Sequence, residues 1–150
     1  MRIGPQVPTA DRDVRRNAIL LILSIGLTVI VLRITLHSSP DADFDVAGYN
    51  IHHLFTGLLL IAVGGIPLAI FREISRLMDA AVAVFGVGLG MALDEWVYLI
   101  ATDGRNASYL LPVSLYGAVV VVGLACLYAF ALAVARILSR RSADARRPGT

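Results

Sequence analysis

Four stretches of this sequence are each long and apolar enough to cross a lipid bilayer, and that fact limits the fold more than any other. They run over about Asn17–Leu36, Ile51–Phe71, Leu77–Ala101 and Leu111–Leu138. At a rise of ~1.5 Å per residue, about 20 helical residues cover a hydrocarbon layer ~30 Å thick. Strict polar–apolar alternation is absent, which argues against a membrane β-barrel. Interior Gly, Ser and Pro67 fit membrane helices, because neighbouring helices re-satisfy the backbone groups they free. The composition agrees, with 57% hydrophobic and 16% charged residues against about 25% charged in soluble domains. The fold class expected is all-α: a polytopic, four-transmembrane-helix bundle, one membrane domain with flexible tails over 1–13 and 142–150.

The first stretch follows Arg15-Arg16 and so resembles the start of a signal peptide. Its apolar run exceeds the usual core of about 7–15 residues, and no small-x-small cleavage pattern follows it. It is read as a retained span.

Arginine placement sets the orientation, because cytoplasmic loops collect positive charge. All 13 basic residues are arginines. Arg2, Arg12, Arg15, Arg16, Arg72, Arg76, Arg136, Arg140, Arg141, Arg146 and Arg147 fall on one side, leaving Arg33 and Arg105 near the other. That other side carries Asp41, Asp43, Asp45 and Asp103. Both termini are therefore expected in the cytoplasm. The basic residues flank helices without aromatic interleaving, so they point to no nucleic acid. The single Cys126 lies inside an apolar run, where it reads as a small hydrophobe. Asn106-Ala-Ser108 matches a glycosylation sequon on the outer face.

The unusual residues gather at one depth. His52 and His53 open the second span, Asp94 and Glu95 lie near the outer end of the third, and Arg33 lies in the last turn of the first. None of these favours hydrocarbon, and ionisable groups inside a membrane mark either function or an internal pair. Helical spacing places His53, Gly57 and Gly64 on one face of the second span, and Gly86, Gly90 and Asp94 on one face of the third. Small residues mark close helix approach, so His53 and Asp94 are expected to meet. Arg33 shares a face with Gly26 by the same argument. His52 and Glu95 are each turned by about 100° from their neighbours. His37, Asp43, Asp45, Tyr49 and Asp103 are candidate loop contributors, and Thr56 and Tyr98 are candidate supporting donors. Trp96, Tyr98, Tyr109 and Tyr49 are expected to form an aromatic belt at the outer interface.

Three readings of this cluster stand open. In the first, His53, Asp94, His52 and Glu95 hold a divalent metal such as zinc, iron or manganese. Hydrolysis of a lipid-like substrate would then use metal-activated water, with Glu95 or His52 moving protons. Neither H-E-x-x-H nor paired Glu-x-x-His motifs occur to support it. In the second, Arg33 pairs with Asp94 or Glu95 in an ionic network that fixes helix register, as in a non-catalytic subunit or assembly partner of a membrane complex. In the third, the residues line a proton path in a transporter, which four helices would complete only as a homo-oligomer.

The segments IHHLFTG and GVGLGMALDEW resemble small integral membrane proteins of prokaryotes that carry His-His and Asp-Glu pairs on neighbouring spans. The resemblance covers residues 50–100. It implies a helical membrane bundle and transfers no activity; the expected location is the cell membrane, as a multi-pass protein of a prokaryotic inner membrane.

Overall fold

A computed structural model of the protein describes residues 9–38, 45–46, 49–50, 53–71, 76–103 and 106–145. Its helices are α1 (Thr9–Ser38), α2 (His53–Ile70), α3 (Arg76–Ala101), the single-turn α4 (Asn106–Tyr109) and α5 (Pro112–Ala145). Between α1 and α2, β1 (Asp45–Val46) and β2 (Tyr49–Asn50) form a two-residue antiparallel ladder, with Asp45 opposite Asn50 and Val46 opposite Tyr49. The four long helices meet the length and hydropathy needed to span a membrane.

Large apolar side chains cover their outer surfaces, for example Leu23, Leu27 and Ile34 on α1, Leu59 and Ile66 on α2, and Leu124 and Leu127 on α5. In water such a surface would be untenable, since exposed apolar patches on soluble monomers rarely exceed a few hundred Å². In lipid it is the matching solvent.

The four spans do not share contacts equally. Helix α3 sits at the centre and packs most extensively on α2, then α1, then α5, while α1 and α5 share a smaller seam. Among the described residues α2 packs on α3 and on no other long helix to a comparable extent.

Small residues explain why α3 can hold three neighbours. One stripe, Gly86 and Gly90, faces α1: a Cβ at Gly86 would meet the Ser24 side chain at 2.7 Å, and one at Gly90 the Ile25 carbonyl at 2.9 Å. A second stripe faces α2, where a Cβ at Gly88 would lie 2.6 Å from the Gly57 carbonyl and 2.7 Å from the Ile61 nitrogen. A Cβ at Gly64 of α2 would come equally close to the α3 backbone, 2.5 Å from the Phe85 nitrogen. Gly57 and Gly64 thus turn toward α3, as their spacing predicts. The Gly86–Gly90–Asp94 face turns instead to α1, which corrects the expected meeting of that face with α2. The reason is the second stripe, Ala81, Gly88 and Ala92, whose steps of seven and four repeat the same helical logic about 100° per residue around the axis.

Helix ends also differ from the sequence boundaries. Helix α1 begins at Thr9, within the expected tail, with Asp11 in its first turn and buried. A carboxylate there suits the positive end of the helix dipole. Helix α5 runs to Ala145, beyond Leu138, so residues 142–145 belong to the helix. Pro67 lies inside α2 without ending it.

Candidate functional site

The end of the bundle opposite the chain termini holds the polar cluster. Its centre is Arg33, five residues from the end of α1, beside Asp94 of α3. Arg33 Nε donates to Asp94 Oδ1 at 2.8 Å, and the side chains are 13% and 1% exposed. Arg33 Nη1 donates to the Tyr109 carbonyl at 3.0 Å. Nη2 reaches Ser114 Oγ at 3.2 Å and the carbonyls of Ser114 and Asp94 at 3.4 Å. The guanidinium carbon lies 4.1 Å from the centre of the Tyr109 ring, a stacking geometry that favours a cation. Every nitrogen of the fork therefore has an acceptor, which lysine, with one point charge, could not reproduce.

The carboxylate is equally occupied. Asp94 Oδ2 accepts a hydrogen bond from the Tyr109 phenol. Burial first, then the adjacent Asp94 carboxylate, push that phenol above its ordinary value of 10.0. It stays protonated, and a donor, throughout the neutral range. Tyr98, also buried, packs edge-on against the Tyr109 ring with centroids 5.3 Å apart. The Tyr109 carbonyl belongs to the last turn of α4, where helix geometry leaves carbonyls without intrahelical partners. A cation is a natural acceptor-satisfying group at that point.

Glu95 serves a different neighbour. It is 2% exposed, and its Oε2 accepts the Leu54 backbone N–H at 2.5 Å. That N–H is one of the orphan donors of the first turn of α2, so Glu95 caps the helix from outside it. His53 Nδ1 lies 3.9 Å from the same oxygen.

The residues singled out by sequence thus sort into two pairs: Arg33 with Asp94, and His53 with Glu95. The expected meeting of His53 with Asp94 gives way to this arrangement, because adjacent residues on α3 point to different helices. His52 lies outside the described residues, as does Asp43. His37 is exposed at the end of α1, and Asp103 accepts from Ser108 Oγ at 2.5 Å. Among the described residues no three His, Cys, Asp or Glu side chains group as metal ligands.

Two contributors escape the sequence reading. Tyr109, expected in an aromatic belt, is buried against Arg33, and Ser114 is fully buried beside it. Trp96, half accessible, is exposed at this end together with Phe55 and Tyr116, as interfacial anchors would be. The signal that could have found Tyr109 and Ser114 is their position just before and just within the last span, opposite an unpaired arginine.

Comparison with protein-family models, with curated proteins and with solved structures finds no match in any of the three.

Proposed function

We propose that this integral membrane protein is a non-catalytic component of a membrane assembly, and that its polar cluster is a lock between helices. The observation that carries the reading is the complete occupation of the Arg33–Asp94 pair, with every guanidinium nitrogen and both carboxylate oxygens engaged by protein groups. A group recruited for acid–base chemistry needs an open approach to a substrate atom. These side chains are sealed by Tyr109 and Ser114.

A second reading rests on the other pair. His53 is about one-third exposed and stands 3.9 Å from Glu95 Oε2, a separation two ligands of one ion can adopt. With His52, these residues would hold zinc, iron or manganese and polarise water for hydrolysis of a lipid-like substrate.

One preparation tests both. The full chain is captured from native membranes in mild, chelator-free detergent, and its companions and metal content are measured together. The lock reading expects a companion in fixed proportion, retained by an Arg33→Met/Asp94→Leu double variant. Near-stoichiometric metal, lost in both His53→Ala and Glu95→Ala, with no companion, would replace it by the second reading.

The arginine distribution supports both termini in the cytoplasm, and with the resemblance over residues 50–100 it favours a prokaryotic inner membrane. In a Cys126→Ser background, a cysteine at Asp43 is expected to react with an impermeant maleimide in intact cells. A cysteine at Ser142 is expected to react only after lysis. The reverse pattern would invert the topology.

A further inference from the structure

Two recesses lie between α1 and α5, one along Asn17–Ile25 of α1 and the other nearer its start, at Asp11–Arg15. The larger is a cavity of about 430 Å³ lined by α1, α3 and α5 and by Leu68 of α2. It exists because Ala18, Ala125 and Ala129 place small side chains where the three helices face each other, against Phe85 of α3. Its walls are apolar apart from Tyr128 and Asn17, and Asn17 Oδ1 is buried without a hydrogen-bond partner. A buried carbonyl left unmatched is unfavourable, so this oxygen asks for a donor.

The smaller recess, about 300 Å³, is lined by Asp11, Arg12, Arg15, Ile137 and Arg141. Arg15 lies three residues before Ala18 of the larger recess and so shares its helix face. Asp11 lies 3.7 Å from Arg141 Nε and balances that guanidinium. Arg12 and Arg15 are exposed, and they leave the recess cationic despite the buried carboxylate.

An apolar slot in the membrane region below a cationic rim is complementary to one molecule above others in a bilayer. We propose that this seam binds an anionic phospholipid, with one acyl chain in the cavity and the phosphate at Arg12 and Arg15. A hydroxyl of the glycerol or headgroup would donate to Asn17 Oδ1. Water does not fill an apolar cavity of this kind, and basic pockets between membrane helices are the sites where acidic headgroups settle. The volume lies within the range of about 300–1,000 Å³ of small-molecule pockets.

The test uses the full chain in detergent, with dioleoyl-phosphatidylglycerol or dioleoyl-phosphatidylcholine added and bound lipid counted by native mass spectrometry. One phosphatidylglycerol per chain is expected, in preference to phosphatidylcholine. An Arg12→Gln/Arg15→Gln variant should bind it roughly twenty-five-fold more weakly, at about fivefold per arginine. Ala129→Phe, which fills the cavity, should also lose it. Inorganic phosphate should not compete, since the acyl chain supplies much of the hold. Equal retention of the two lipids, or undiminished binding by the arginine variant, overturns the proposal. So does a dimer abolished by Ala129→Phe, which would make a second copy the occupant. Should Ala129→Phe fail to fold by circular dichroism, the arginine variant decides alone, because both of its positions are exposed.

Discussion

Asp94→Ala is expected to destabilise the bundle by about 3–5 kcal/mol, the cost of leaving a buried charge without its partner. Arg33 is too little exposed for water to make good this loss. Its side chain is 13% exposed, and its remaining acceptors are carbonyls and a hydroxyl, which carry no compensating charge. Tyr109 also loses the acceptor of its phenol. The Arg33→Met/Asp94→Leu double variant should recover most of the deficit, since a well-packed apolar pair often matches a buried ion pair. Arg33→Lys should fall between them, keeping the charge at Asp94 but losing the bonds to Tyr109 and Ser114. Loss of helicity during titration with a denaturing detergent measures all three. A single Asp94→Ala variant as stable as the parent would show that the pair fixes nothing.

The second large effect is expected at the α2–α3 seam. Gly88→Ala would bring a Cβ to 2.6 Å from the Gly57 carbonyl and 2.7 Å from the Ile61 nitrogen. Gly64→Ala would do the same, at 2.5 Å from the Phe85 nitrogen and 2.7 Å from the Ala81 carbonyl. Both obstacles are backbone, so no rotamer change relieves them, and α2 must move away from α3. Each substitution should cost about 1–3 kcal/mol, the usual range for overpacking, even though alanine is the better helix former by about 1 kcal/mol. Because α2 packs extensively on α3 alone, the loss should show locally as weaker cysteine cross-linking between those two helices. Gly26→Ala and Gly123→Ala are the controls: a Cβ at either position meets nothing within 4 Å. Those two should be neutral or slightly stabilising. Equal tolerance at Gly88 and Gly26 would contradict the close approach.

The spans themselves were legible because hydrophobic runs report directly on the solvent that surrounds them. Sequence also brought Arg33, His53, Asp94 and Glu95 to one level, since helix order and length alone fix depth. Which residue met which was harder to read. Gly86 and Gly90 advertise a packing face as clearly as Gly57 does, but a stripe of small residues does not say which neighbour it receives. The decisive clue was the second stripe through Gly88 and Ala92, which leaves Glu95, not Asp94, on the α2 side. Tyr109 and Ser114 were out of reach for another reason. Helix α4 has four residues, too few for any periodicity, and its place over Arg33 depends on how α5 returns against α3. The start of α1 at Thr9 was obscured because Pro5, Pro8 and the charges of residues 11–16 are features typical of a tail.

The neighbouring positions of Asp94 and Glu95 have a mechanical consequence. Two consecutive carboxylates bind two different helices, so the dipeptide works as an index mark on α3. Rolling α3 by one residue, about 100°, would carry Asp94 out of reach of Arg33 while removing Glu95 from the first turn of α2. Sliding it by one turn, about 5.4 Å, would break the same two connections. A single pair could pivot about its own axis and leave the helix free to turn. Two pairs on adjacent residues remove both rotation and translation, and a one-residue insertion anywhere between Gly86 and Asp94 would put the two ends of α3 out of phase with their partners.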